Sequence, residues 1–111
     1  MRTSGVRRPG SNRVRDGHPQ MACDLLDGDA AERCLGEALD QRGPISILIN
    51  AVGLVHSAPL VNVATRSGRR HSLEAWQRVI DINLTAVFVA TVNIVDWMVS
   101  SRTSGVVVNF S

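Results

Sequence analysis

Two short stretches of this chain are almost pure hydrocarbon, and they limit what it can fold into. Residues 45–49 read Ile-Ser-Ile-Leu-Ile, and residues 106–108 read Val-Val-Val. A strand with one wet face alternates apolar and polar residues. Near-continuous apolar runs of this length belong instead to strands covered on both faces, the condition of parallel sheets in α/β layers. Parallel neighbours cannot be joined by a tight turn; they need a crossover, usually a helix.

The residues between the two runs supply that helix. Ser72 is a natural N-cap, and Glu74 falls in the first turn, where the helix dipole favours an anion. From there Leu73, Trp76, Ile80, Asn83, Val87, Ala90, Ile94 and Met98 step by three or four, which predicts one helix over 72–100. Upstream, Ala30–Ala31, Cys34–Leu35 and Ala38–Leu39 recur every four residues. This predicts a helix capped by Asp27 or Asp29 and stopped by Gly43-Pro44. The run "QMACDLLD" before it reads as a third short strand, ending in acids. The order strand, helix, strand, helix, strand implies an α/β layer with right-handed crossovers.

Charge divides the chain. Residues 1–20 hold five Arg against Asp16, and residues 21–111 hold seven Arg against nine acids, so a head of +4 precedes a body of −2. Residues 1–19, with Pro, Gly and Asn where an amphipathic helix needs continuity, are expected to be a disordered basic leader. The domain is expected over 20–111. Five Arg without aromatic partners make a poor nucleic-acid surface. No uninterrupted apolar run approaches the roughly 18 residues that span a bilayer, so no membrane partner is expected. Cys23 and Cys34 have no metal-site spacing, and no metal is expected; they read as reduced, buried thiols of a cytoplasmic protein.

Four polar or small residues sit where hydrocarbon would serve the core better. Asn50 ends an apolar strand, where open α/β sheets place their ligands; it also suits a turn that satisfies local backbone groups. Gly53 lets the backbone turn sharply or approach a ligand. Asn83 lies on the apolar stripe of the long helix, and a buried amide must find partners or cost about 1–3 kcal/mol. Asp24 ends the first strand, and alone is a capping residue. The stretch 61–71 reads as an exposed basic loop in which Arg66, Arg69, Arg70 and His71 either meet an anionic substrate or are simply solvated.

Taken in order, Asp24-Leu25, "ILINAVG", "WQRVIDINLTAVF" and "GVVVNFS" resemble the middle of a short-chain dehydrogenase/reductase, most nearly the 3-oxoacyl-(acyl-carrier-protein) reductase type. The resemblance covers residues 20–111. It implies a partial, incomplete Rossmann-like doubly wound parallel sheet, with equivalents of the family's third, fourth and fifth strands and two helices. It implies that Asp24, by side chain, and Leu25, by backbone, hold the adenine of NAD or NADP. Asn50, Ala51, Val52 and Gly53 match the family's Asn-Asn-Ala-Gly motif. The first Asn there ties the strand end to neighbouring backbone beneath the cofactor. The second lies against the cofactor's ribose; here it is Ala51, so any contact must come from the main chain. Asn83 matches the helix Asn of the catalytic tetrad, which in relatives bends the helix and holds a water in a proton relay.

The departures are equally plain. The chain has no Tyr, and all twelve of its basic residues are Arg. The family's Tyr-x-x-x-Lys, which protonates the substrate carbonyl and binds the nicotinamide ribose, is therefore missing. Nothing matches the glycine-rich phosphate loop. Ser111 is either the catalytic Ser or the residue before it. The expectation is a truncated, inactive piece of an NAD(P)-dependent oxidoreductase that reduces a small carbonyl or acyl-thioester substrate and is homo-oligomeric through its long helix. The alternative is a non-catalytic fragment that associates with a full-length relative through the 72–100 helix.

Overall fold

The computed structural model describes residues 20–110. The basic leader assigned to residues 1–19 and the serine at position 111 lie outside them. Asp27 starts the first helix, its carboxylate accepting from Ala30 N–H at 3.2 Å. That helix, α1, runs Gly28–Arg42 and carries Asp29 in its first turn. It ends at Gly43, whose N–H donates to Leu39 O at 2.9 Å. Gly43 adopts φ 75°, a conformation that a side chain disfavours. Strands β1 (Ile47–Asn50) and β2 (Val106–Asn109) are parallel, with Ile47 beside Val106 and Asn50 beside Asn109.

Between the strands stands the long helix. Ser72 Oγ accepts from Ala75 N–H at 3.0 Å and caps α2, Leu73–Ile80. The chain then widens into a π-turn over Asp81–Thr85, where Ala86 N–H reaches back five residues to Asp81 O. From there α3 continues as Ala86–Ser100. A π-turn inserts an extra residue into the helical ladder and often marks a functional position. It also rotates everything after it. The buried positions of α3 are Ala86, Ala90, Ile94 and Met98, a strict four-residue series. Leu73 and Trp76, which the sequence placed on the same stripe, are exposed. With Ala31 of α1 these four form the apolar core among the described residues, where α3 packs on α1 and on β1.

The parallel α/β layer is as expected, but three local expectations fail. Residues 20–24 form no strand. A strand is held by its ladder, and no neighbour is available to this segment among the described residues. Asp24 turns the chain instead, its carboxylate accepting from Leu26 N–H at 3.0 Å and its carbonyl from Asp27 N–H at 3.3 Å. Cys23 and Cys34 are not free thiols; they are joined by a disulfide. The strands are covered on one face only: Leu48 and Val107 are half-buried, while Ile47, Ile49, Val106 and Val108 are exposed. The helix that meets β1 covers one side of the sheet, and no described element covers the other.

The stretch 61–71 is more ordered than a loop. Asn62 N–H donates to Arg69 O at 2.6 Å and His71 N–H to Leu60 O at 2.8 Å, so Val61 and Arg70 bridge as a small antiparallel hairpin. The helical span Leu73–Ser100 is, by length and composition alone, apolar enough to cross a membrane, with a hydropathy of 1.6. The sequence reading, which counted only uninterrupted apolar runs, missed this. In this fold Ala86, Ala90, Ile94 and Met98 of the span enter the core, while Leu73, Trp76, Leu84, Phe88, Val92, Val95 and Val99 stay exposed.

Candidate functional site

The loop after β1 is fixed at both ends by an asparagine. At the near end Asn50 is buried. Its Nδ2 donates to Asn109 Oδ1 at 2.7 Å and to Thr91 Oγ1 at 3.1 Å. Its main-chain carbonyl accepts from Phe110 N–H at 3.0 Å. One amide thus ties β1 to β2 and to α3. The resemblance implied a tie to neighbouring backbone; the partners of the Asn50 amide are instead the side chains of Asn109 and Thr91. Parallel register explains this, because it sets Asn109 directly beside Asn50.

At the far end Asn83, the middle residue of the π-turn, clamps Leu54. Its Oδ1 accepts from Leu54 N–H at 3.0 Å and its Nδ2 donates to Leu54 O at 2.8 Å. A side-chain amide satisfying both backbone groups of one residue imitates a strand ladder. Asn83 is half-buried and Leu54 likewise. Gly53 lies beneath this pair: a Cβ there would stand 3.5 Å from Asn83 Oδ1, an ordinary contact. Ala51, Val52 and Gly53 themselves are exposed. The structure therefore brings Asn50, Ala51, Gly53 and Asn83 into one unit. Asp24 and Leu25 stand apart from it; the contacts of Asp24 are local, within its own turn.

Beside the Asn83–Leu54 clamp is a recess of about 430 Å³ lined by Leu54, Val55 and His56 on one side and by Ser72, Glu74, Ala75 and Arg78 of α2 on the other. A second, of about 550 Å³, shares His56 and Ser72 and adds Leu60, His71 and Trp76. The rings of His56 and His71 meet edge to face, 5.4 Å between centroids. The hairpin residues Arg66, Arg69 and Arg70 border a third recess of about 670 Å³, which shares His71, Ser72 and Leu73 with the second. Sequence reading missed Thr91, Asn109 and Leu54. Asn109 carried a signal, as the lone polar residue at the end of an otherwise apolar strand. Leu54 carried none, because only its backbone is used.

The residues present fit a nicotinamide dinucleotide in part. The main chain at Ala51–Gly53 is exposed and held at both ends, which leaves its N–H and C=O groups open to a ribose, whereas the carboxylate of Asp24 accepts from Leu26 N–H within its own turn. Nothing in the chain fits the nicotinamide end, where a Lys and a Tyr would be required and neither exists. No metal-binding group of His, Cys, Asp or Glu occurs among the described residues.

The family described as short chain dehydrogenase matches residues 13–111. The 3beta-hydroxysteroid dehydrogenase 1 of Eggerthella lenta is 32% identical over 88 residues, covering 79% of this chain and 31% of that protein. A 3-oxoacyl-(acyl-carrier-protein) reductase of Synechocystis sp. is 30% identical over 88 residues, covering 79% of this chain and 32% of that protein. A crystal structure of a short chain dehydrogenase from Mycobacterium smegmatis superposes with a TM-score of 0.66 at 25% identity, over 78% of this chain and 33% of its own. The chain spans about a third of the length of the relatives it matches.

Proposed function

Because the chain belongs to the short-chain dehydrogenase family, we propose that it carries the cofactor-side middle of an NAD(P)-dependent oxidoreductase that reduces a 3-oxoacyl-type carbonyl. The family's oxidoreductase chemistry is common to its relatives. The narrower substrate class rests on the likeness to a 3-oxoacyl-(acyl-carrier-protein) reductase. The observation that carries the reading is the Asn83 clamp on Leu54, which holds the loop after β1 against the helix. In it, Asp24 and Leu25 meet the adenine, Asn50 and Ala51–Gly53 support the ribose, and Asn83 belongs to the catalytic set.

Alone, the chain does not catalyse hydride transfer. Carbonyl reduction needs a proton as well as a hydride, and a positioned acid typically contributes 10²–10⁴-fold; the family's acid is a Tyr, absent here. The test is a chimaera in which residues 20–110 replace the corresponding segment of a full-length 3-oxoacyl carrier-protein reductase. It should bind NADPH and oxidise it with an acetoacetyl thioester. A folded chimaera that binds no NADPH would overturn the reading.

A second reading is non-catalytic association, with a second copy or a full-length relative, through the long helix. Leu84, Phe88, Val92, Val95 and Val99 are exposed along it and border a recess of about 640 Å³. Exposed apolar surface of this kind favours a protein partner. Light scattering that gives a monomer at all concentrations would remove it.

A further inference from the structure

We infer that Cys23 and Cys34 form a thiol–disulfide switch that sets how firmly the residues ahead of α1 are held. The two are bonded across a separation of 11 residues, with Cα atoms 5.9 Å apart. That spacing lies within the roughly 4.4–6.8 Å usual for disulfides, so the backbone need not move for the bond to form or break. Both cysteines are half-buried, and their neighbours Met21, Ala22, Asp24 and Arg33 are exposed. Small thiols and disulfides can therefore reach the pair.

The bridge is the covalent tie between this segment and α1. Residues 20–24 sit in no ladder. The hydrogen bonds of Asp24 run forward, into the turn that starts α1. The sulfur bond reaches from residue 23 across to the second turn of the helix, where Cys34 Sγ also lies 3.5 Å from Ala22 O. Among the described residues, reduction leaves that weak sulfur–carbonyl contact as the tie between residues 20–23 and α1. In a reducing compartment thiols are the default, so the bond there is a state chosen by redox poise.

The chemistry balances with a small-molecule disulfide, oxidised glutathione, as the oxidant. One cysteine thiolate attacks a glutathione sulfur; that S–S bond breaks and one glutathione thiol leaves. The second cysteine thiolate attacks the mixed disulfide, the protein S–S bond forms, and the second glutathione thiol leaves. Two electrons pass from the protein to glutathione, and the protein loses two hydrogens. Asp24 and Leu25 directly follow Cys23, so the switch acts on the segment assigned to adenine. It stands independently of that assignment, because segment order is measurable without nucleotide.

The experiment equilibrates the full chain in graded mixtures of reduced and oxidised glutathione, traps free thiols by alkylation and reads the bonded fraction by mass. Hydrogen exchange is then measured on both forms. A single two-electron transition is expected, with amides of residues 22–27 exchanging about tenfold slower or more when bonded, and those of Ala90 and Ile94 unchanged. Cys34→Ser should exchange fast there under all conditions. If α3 also loses protection in that variant, Cys23→Ser removes the same bond without altering α1, and should show the local effect alone. Thiols that stay alkylatable in every mixture, or equal exchange in the two forms, would overturn the switch.

Discussion

Replacing Asn83 by Leu tests whether the π-turn amide is a structural clamp. The side chain makes two hydrogen bonds to Leu54, at 3.0 and 2.8 Å. Each is worth about 1 kcal/mol net, so losing both costs about 2 kcal/mol, or roughly thirtyfold in an opening equilibrium. The penalty stays at that level because Leu54 is only half-buried. Its freed N–H and C=O can turn toward water, and do not bear the full cost of a dry, unpaired group. A Leu at this position also removes one reason for the helix to widen. If the ladder closed to a plain α-helix, the series Ala86, Ala90, Ile94 and Met98 would rotate off the core, adding to the loss. The assay is urea unfolding alongside amide exchange at Leu54. Exchange there should rise about thirtyfold, in step with the fall in unfolding free energy. Asn83→Asp keeps the acceptor for Leu54 N–H but turns a carboxylate oxygen toward Leu54 O, and should lose as much or more. Exchange at Leu54 unchanged in both variants would show that the clamp is not formed in solution.

Three further outcomes follow from the same geometry. Asn50→Val removes the ties to Asn109 and Thr91 and should lower unfolding free energy by about 1–3 kcal/mol; a variant as stable as the parent in urea would deny the brace. Ile94→Ala empties the largest fully buried side chain, at 2% exposure, and should cost about 2–5 kcal/mol by the same measurement. The purified chain, without Tyr or Lys, should show no NADPH oxidation with acetoacetyl thioesters, and turnover surviving repurification would contradict the role given to those residues.

What could be read from the sequence was what depends on neighbours in the chain. The caps at Asp27 and Ser72 and the stop at Gly43 are local decisions of two or three residues, and all appear as expected. Asn50 and Asn83 were recognisable because an amide on an apolar background must find partners. Their partners were not recognisable. Thr91 and Asn109 lie 41 and 59 residues from Asn50, and which polar group meets it depends on strand register and helix rotation. The helix stripe failed at Leu73 and Trp76 for a related reason. Counting steps of three and four assumes an unbroken ladder, and the π-turn breaks it. The first strand failed because "QMACDLLD" has strand composition but no neighbour to pair with among the described residues. The cysteines misled because eleven residues of separation reveal nothing about a helix that folds one back toward the other.

The placing of the two asparagines accounts for the sequence between them. Asn50 and Leu54 are each held to the helix through a side-chain amide, Asn50 by its own bond to Thr91 and Leu54 by the amide of Asn83. The three residues between them, Ala51, Val52 and Gly53, are exposed and small or unbranched at the γ position. A loop of this kind costs little conformational entropy on meeting a ligand, because its ends are already fixed. It also offers main-chain groups without bulky side chains in the way. Ala51, where the family's motif has a second Asn, therefore need not abolish the contact: a held backbone presents its N–H and C=O whatever the side chain. An aliphatic residue at 50 or 83 would pack the core as well or better, but would leave this loop tied at one end only.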